Sequence, residues 1–248
     1  MTEDLMIEAS TISCYDAHAT AYDRYQFAAV PGYSVMLDLV GDACKRYLVP
    51  KMLAAKAEAK IIDLGCGTGN ASLAVLKKCP AKVFLIDGSE RMVNVAVEKV
   101  SGSYPQSLLG NRIADLSGED WDNGLADGAF DVVVSTLVLE HLPFPRYKAA
   151  IAKCFRLLKP GGWLLGAEGY VEEESDMQEW FFEEMESRRK GLDSELSDYV
   201  AGLRNEQETH YYCSKNVKAR WWNEAGFERV NMLWQYLCIG LMAGRKPL

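Results

Sequence analysis

Along the chain, short apolar runs alternate with longer stretches in which apolar residues recur every three or four positions. "KIIDL" (60–64) has the length and composition of a short buried strand, and 70–78 has helical spacing. "KVFLID" (82–87) predicts a second strand, and Ser89-Glu90 opens a helix reaching about Val100. "SLLGNRIAD" (107–115) is a weaker strand, whereas "FDVVVSTLVL" (130–139) is a near-continuous apolar run suited to burial on both faces. Pro145 fits the first turn of a helix ending at "LLKPGG", and "WLLGAEG" (163–169) is the next strand. A helical stretch of mixed polarity spans 172–206. "KNVKARWWNEAGF" then predicts a helix with Gly226 just past its end, and "RVNMLWQ" and "LCIGLMAG" close as paired strands. At the front, Tyr15, His18, Ala19, Tyr22 and Gln26 share helical spacing, Pro31-Gly32 interrupts, and a second helix runs up to Pro50. Strands alternating with helices predict an α/β fold, a doubly wound and mostly parallel sheet with an antiparallel edge. Ligands of such sheets bind beyond the carboxyl ends of the strands.

At the first of those carboxyl ends stands "DLGCGTGN", with Gly65, Gly67 and Gly69 in five positions. Glycine weakens both strand and helix, so its concentration here predicts a sharp turn that lets another group approach closely. No Lys-Ser/Thr follows, which argues against a nucleoside-triphosphate loop. The run is G-x-G-x-G, with Asn70 where a dinucleotide fingerprint would carry its third glycine. Asp63, just before the turn, suits a cation better than a pyrophosphate. Asp87 ends the second strand 20 residues after Gly67, as expected of a carboxylate that holds ribose hydroxyls. The site is therefore expected to take a nucleoside with a positively charged tail.

Composition narrows the partners. The 248 residues suit one domain with a sizeable core, and a net charge of -8 weighs against nucleic acid or an anionic membrane. Seven cysteines without a CxxC pair read as reduced thiols, and the acidic start has no signal-like apolar stretch, so a cytoplasmic location is expected. No apolar run reaches the roughly 18 residues of a membrane helix. His210-x-x-Cys213 is half a metal site without partners, so no metal is expected.

The motifs resemble those of class I S-adenosylmethionine-dependent methyltransferases, in order across roughly 58–168: "IIDLGCGTGNASL", "LIDGSERMV", "ADL" (114–116), "FDVVVSTLVLEHL" and "CFRLLKPGGWLL". The resemblance implies a seven-stranded sheet with an antiparallel last strand, and S-adenosylmethionine as cofactor with S-adenosylhomocysteine as product. It further implies cofactor contacts from Asp63, the three glycines, Asp87, Asp115 at the adenine amine, Leu116 and Ser135. By the same analogy the N-terminal segment folds over the cofactor, with Tyr22 and Tyr33 near its carboxylate. One domain is expected: a helical cover (1–57), the cofactor core (58–169), a helical insert (170–212), and the last helix with the strand pair (213–248). The flanks resemble the carboxy-S-adenosylmethionine synthase group, whereas Gly67-Thr68-Gly69 and Leu139-Glu140-His141-Leu142 are ordinary methyltransferase wording. Methyl transfer to a small-molecule acceptor is therefore the expected activity. A carboxy-S-adenosylmethionine-forming transferase and a non-catalytic cofactor binder stay open.

Three candidates carry two readings each. His141 either deprotonates the acceptor or orders the loop after the fourth strand. Met177, Trp180, Phe181 and Met185 share a helical face that is either core or a cover over substrate. Arg204 is either a cap or a contact for a carboxylate, the group a carboxylated cofactor would bring.

Overall fold

The structure, a computed structural model, describes residues 12, 22–55, 58–191 and 210–248 of the chain. Seven strands form one sheet: β1 (Ala59–Leu64), β2 (Ala81–Asp87), β3 (Leu108–Ile113), β4 (Phe130–Thr136), β5 (Leu158–Gly169), β6 (Glu228–Tyr236) and β7 (Ile239–Arg245). Their order is β3-β2-β1-β4-β5-β7-β6. Pairs among the first five strands are parallel, and β7 runs antiparallel to both β5 and β6. The order reverses between β1 and β4, which leaves the crevice of a doubly wound fold at their carboxyl ends.

Helices cover both faces. They are α1 (22–29), α2 (Tyr33–Ala55), α3 (Asn70–Lys78), α4 (Glu90–Ser103), α5 (Phe144–Leu157), α6 (Ser175–Lys190) and α7 (Lys215–Glu224). Strand alternation divides the core in two. Ile61, Val83, Val132 and Leu165 point to the layer holding α2, α3 and α4, and Ile62, Ile86, Val133 and Leu164 to the layer of α5 and α7. Both sets are essentially fully buried, which is why the strands read as continuous apolar runs.

Three boundaries differ from the sequence expectation. The helix expected to stop at Pro50 continues to Ala55, although a proline there supplies no amide to the preceding turn. The strand expected over 130–139 ends at Thr136, because Leu137 adopts a left-handed conformation with φ 57°. That bend carries the chain into the 3-10 turn Leu139–His141. β5 begins at Leu158 rather than Trp163, with a register irregularity that absorbs the Pro160-Gly161-Gly162 turn. Arg204, Tyr15 and His18 lie outside the described residues.

Behind the sheet, α7 contributes Lys218, which is fully buried. Its ammonium pairs with Glu168 Oε2 and reaches the Gly169 carbonyl at 3.3 Å. The other Glu168 oxygen accepts from Tyr147 Oη at 2.9 Å, and Trp222 Nε1 donates to the same phenol at 2.9 Å. One buried, hydrogen-bonded ion pair thus joins β5, α5 and α7. Breaking such a pair by removing one partner leaves a buried charge uncompensated. Lys218→Met is expected to lose about 3–5 kcal/mol of stability in urea unfolding. The double variant with Glu168→Gln should lose less, since no bare charge remains.

Candidate cofactor crevice

The turn between β1 and α3 is built from residues that tolerate left-handed backbone. Gly65, Gly67 and Gly69 have φ of 63°, 49° and 85°. A Cβ on Gly65 would stand 2.3 Å from both Val138 methyl carbons, so the residues after β4 can approach only because that atom is missing. Gly67 instead faces Tyr22, whose ring would lie 3.5 Å from a Cβ there. Gly69 packs on Ala96 of α4 and is not part of the crevice wall.

Asp87, at the end of β2, fixes this turn. Its Oδ2 accepts from Gly67 N at 2.8 Å and its Oδ1 from Ser89 N at 2.9 Å. Burial pushes its carboxyl up from the ordinary range, while the amides of Ser89, Gly67 and Gly88 pull it back. Each carboxylate oxygen carries two lone pairs, so acceptor capacity remains for hydroxyls in the crevice. Asp115 is held similarly, accepting from Ser117 N at 2.8 Å through Oδ1.

The crevice encloses about 720 Å³ of space open to solvent. It brings together Tyr22, Gly65, Gly67, Asp87, Asp115, Leu116 and His141 from the sequence-predicted set. Its wall also includes Ile12, Ser89, Met92, Val138 and Leu142, which the sequence reading did not single out. Met92 is one turn into the helix that Ser89 caps, so its place followed from the Asp87 motif. Val138 and Leu142 carried no signal apart from lying in the motif that contains His141.

Four other predicted cofactor or substrate residues stand away from the wall. Asp63 is buried behind the turn, where its Oδ2 accepts from Ser72 N at 3.1 Å and Ser72 Oγ at 2.6 Å. It caps the otherwise unsatisfied first turn of α3. Tyr33 is buried and accepts from Asn70 Nδ2 at 3.2 Å, and Ser135 donates to the Leu64 carbonyl at 3.0 Å, tying β4 to β1. Trp180 lies on α6, 52% exposed, against Phe181, which is the buried member of that pair.

His141 meets His210 with ring centroids 4.3 Å apart, and Tyr212 stacks on His210. Tyr211 N donates to the Glu140 carbonyl at 2.7 Å, so the 210–212 segment is pinned along the 3-10 turn. Burial, with His210 and Lys218 adding, holds the His141 imidazole well below 6.5 and hence neutral at physiological pH. The adjacent Glu140 carboxyl is pushed up to about 8 by burial, with Lys218 opposing and Glu168 adding.

A nucleoside with a cationic sulfonium tail fits this wall: carboxylates at two strand ends, apolar Met92 and Leu116 beside them, and a glycine turn that no Cβ fills. Strand order and crevice are those of the doubly wound fold of methyltransferases of known structure. Residues 61–162 match the family model described as methyltransferase domain. A carboxy-S-adenosyl-L-methionine synthase of Shewanella amazonensis is 29% identical over 143 residues, 56% of this chain and 54% of that protein. The tRNA N(3)-methylcytidine methyltransferase trm140 of Schizosaccharomyces pombe is 30% identical over 111 residues, 44% of this chain and 36% of that protein. The chain thus spans about half or less of the length of these relatives. The fold superposes on magnesium protoporphyrin IX methyltransferase of Synechocystis PCC 6803, solved with bound SAM, with a TM-score of 0.61 at 16% identity, covering 99% and 98% of the two chains. No described helix is long and apolar enough to cross a membrane.

Burial also makes Asp63 a pH-sensitive element. Desolvation, with Asp87's charge adding, pushes its carboxyl from 3.8 up to about 6 against the bonds from Ser72. Between those values the folded protein keeps a proton that the unfolded chain releases, so this group's contribution to stability falls as pH rises through the window. The loss amounts to roughly 3 kcal/mol by the linkage of pKa to free energy. Urea unfolding from pH 4 to 7 is expected to show Asp63→Asn gaining on the wild type across that range, whereas parallel stability curves would contradict the assignment.

Proposed function

We propose that the protein transfers a methyl group to a small-molecule acceptor by in-line displacement. What supports this most directly is the Asp87 carboxylate, fixed by the Gly67 and Ser89 amides at the mouth of a glycine turn. Bound S-adenosylmethionine supplies a methyl group on a sulfonium, activated toward attack by the neutral thioether that leaves. Asp87 holds the ribose hydroxyls, while Asp115 and Leu116 hold the adenine. Tyr22, whose ring approaches Gly67, contacts the tail of the cofactor in this reading. Val138 and Leu142 exclude water from the attacking side, and neutral His141 accepts the proton of an acceptor that carries one. The protein's contribution is mainly alignment and a dry crevice. The acidic chain, with net charge -8, favours a small acceptor over a nucleic acid.

A second reading, formation of carboxy-S-adenosylmethionine, draws on the name of the Shewanella relative. Mass spectrometry of ligand extracted from freshly purified protein separates the two. The expected masses are those of S-adenosylmethionine or S-adenosylhomocysteine, and a dominant carboxylated cofactor would overturn simple methyl transfer. Turnover is read as S-adenosylhomocysteine release over a panel of acceptors; its absence throughout would favour a binding protein. Asp87→Ala is expected to weaken S-adenosylhomocysteine by about 1.5–3 kcal/mol in calorimetric titration, the worth of a hydrogen bond to a charged group.

A further inference from the structure

Tyr22 reaches the crevice from α1, and the next residue is the centre of a polar cluster that the cofactor contacts do not use. Asp23 Oδ1 accepts from Thr68 Oγ1, inside the glycine turn, and from Asn70 Nδ2 at 2.9 Å, the first residue of α3. Asp23 Oδ2 pairs with the Lys99 ammonium from α4, which also reaches Asn70 Oδ1 at 3.3 Å. Asn70 donates in turn to Tyr33 of α2. Three segments, the glycine turn, α3 and α4, therefore bond the one carboxylate from α1, and α2 joins them through Asn70. Burial opposes its charge, yet the bonds from Lys99, Thr68 and Asn70 hold it below the ordinary carboxylate range.

We propose that Asp23, clamped by Lys99, Thr68 and Asn70, is a positioning residue that holds Tyr22 against Gly67 and thereby sets the affinity for S-adenosylmethionine. The proposal rests on the crevice taking that cofactor. Asp23 and Tyr22 are neighbours on one helix, so fixing the carboxylate fixes where the phenol emerges. Tyr25 and Ala29 of the same helix are buried. The clamp selects the rotation and depth at which α1 meets the turn. Side-chain exposures of 36% for Asp23 and 29% for Lys99 leave the pair in reach of water, so salt should weaken it. The buried Glu168–Lys218 pair has no such access.

The test is calorimetric titration with S-adenosylhomocysteine of wild type, Asp23→Asn, Tyr22→Ala and the double variant. Asp23→Asn is expected to weaken binding about tenfold, equivalent to ~1.4 kcal/mol, with the unliganded thermal midpoint little changed. In the Tyr22→Ala background the same substitution should cost less than about twofold, because a positioning residue has nothing left to position. Added salt should weaken the wild type more than Asp23→Asn. Equal losses in both backgrounds, or no loss in either, would overturn the clamp. Should Asp23→Asn fail to fold, Lys99→Met replaces it with the same comparison in the Tyr22→Ala background. Wild-type protein that binds no S-adenosylhomocysteine would instead overturn the cofactor reading, and the clamp with it.

Discussion

The 2.8 Å hydrogen bond from Gly67 N to Asp87 Oδ2 is where the architecture becomes a site. It joins the ends of two adjacent parallel strands, β1 and β2, beside the point between β1 and β4 at which the sheet order reverses. To offer its amide there, Gly67 must sit at φ 49°, and Gly65 at φ 63° must make room for Val138. Side chains rarely tolerate that backbone, so the three glycines follow from a steric requirement. Everything around the crevice then depends on this turn. Ser72 donates to Asp63 beneath it, Thr68 donates to Asp23 above it, and His141 arrives because Val138 can lie on it.

Much of this was legible in the residues, for a physical reason. The central strands are buried on both faces, so their apolar runs stand out from the helices between them, and α3 falls at 70–78 as spacing predicts. The glycine turn and Asp87 declare themselves because backbone conformation and charge are properties of residue type. What could not be read depends on where the chain bends. Leu137 is one more leucine in an apolar run, yet its left-handed φ ends β4 and creates the rim. Asp63 illustrates the same limit from another side. Its motif position suggests a ligand, but a carboxylate facing the free amides of a helix start is satisfied by Ser72 instead. Nor does any spacing bring His210 to His141 across 69 positions; only the folded segment 210–212 does.

The two ion pairs around the crevice show how one molecule can be rigid on one side and adjustable on the other. Glu168 and Lys218 are withdrawn from water and saturated by Tyr147 and Gly169. Such a pair tolerates no half-formed state, since either charge alone would be stranded in a poor solvent. It serves as a fixed platform under Glu140 and His141. Asp23 and Lys99 remain partly wet, and each can return to water at modest cost. Held by wet charges, α1 can shift against the glycine turn more readily than α7 can leave the buried pair. The difference lies in desolvation rather than in the chemistry of the pairs.

That division bears on where acceptor specificity resides. The residues that match the methyltransferase domain, 61–162, include β1, the glycine turn and β4. The rim is assembled from α1, from the 3-10 turn Leu139–His141 and from the 210–212 segment, none of which belongs to the regular sheet. Its chemistry is a neutral imidazole backed by a second imidazole, with apolar Val138 and Leu142 beside it. Such a surface can take a proton, and among the described residues that line it there is no fixed cation. A carboxylate or phosphate brought against this wall would lose its water without gaining a charged partner among the described residues that line it.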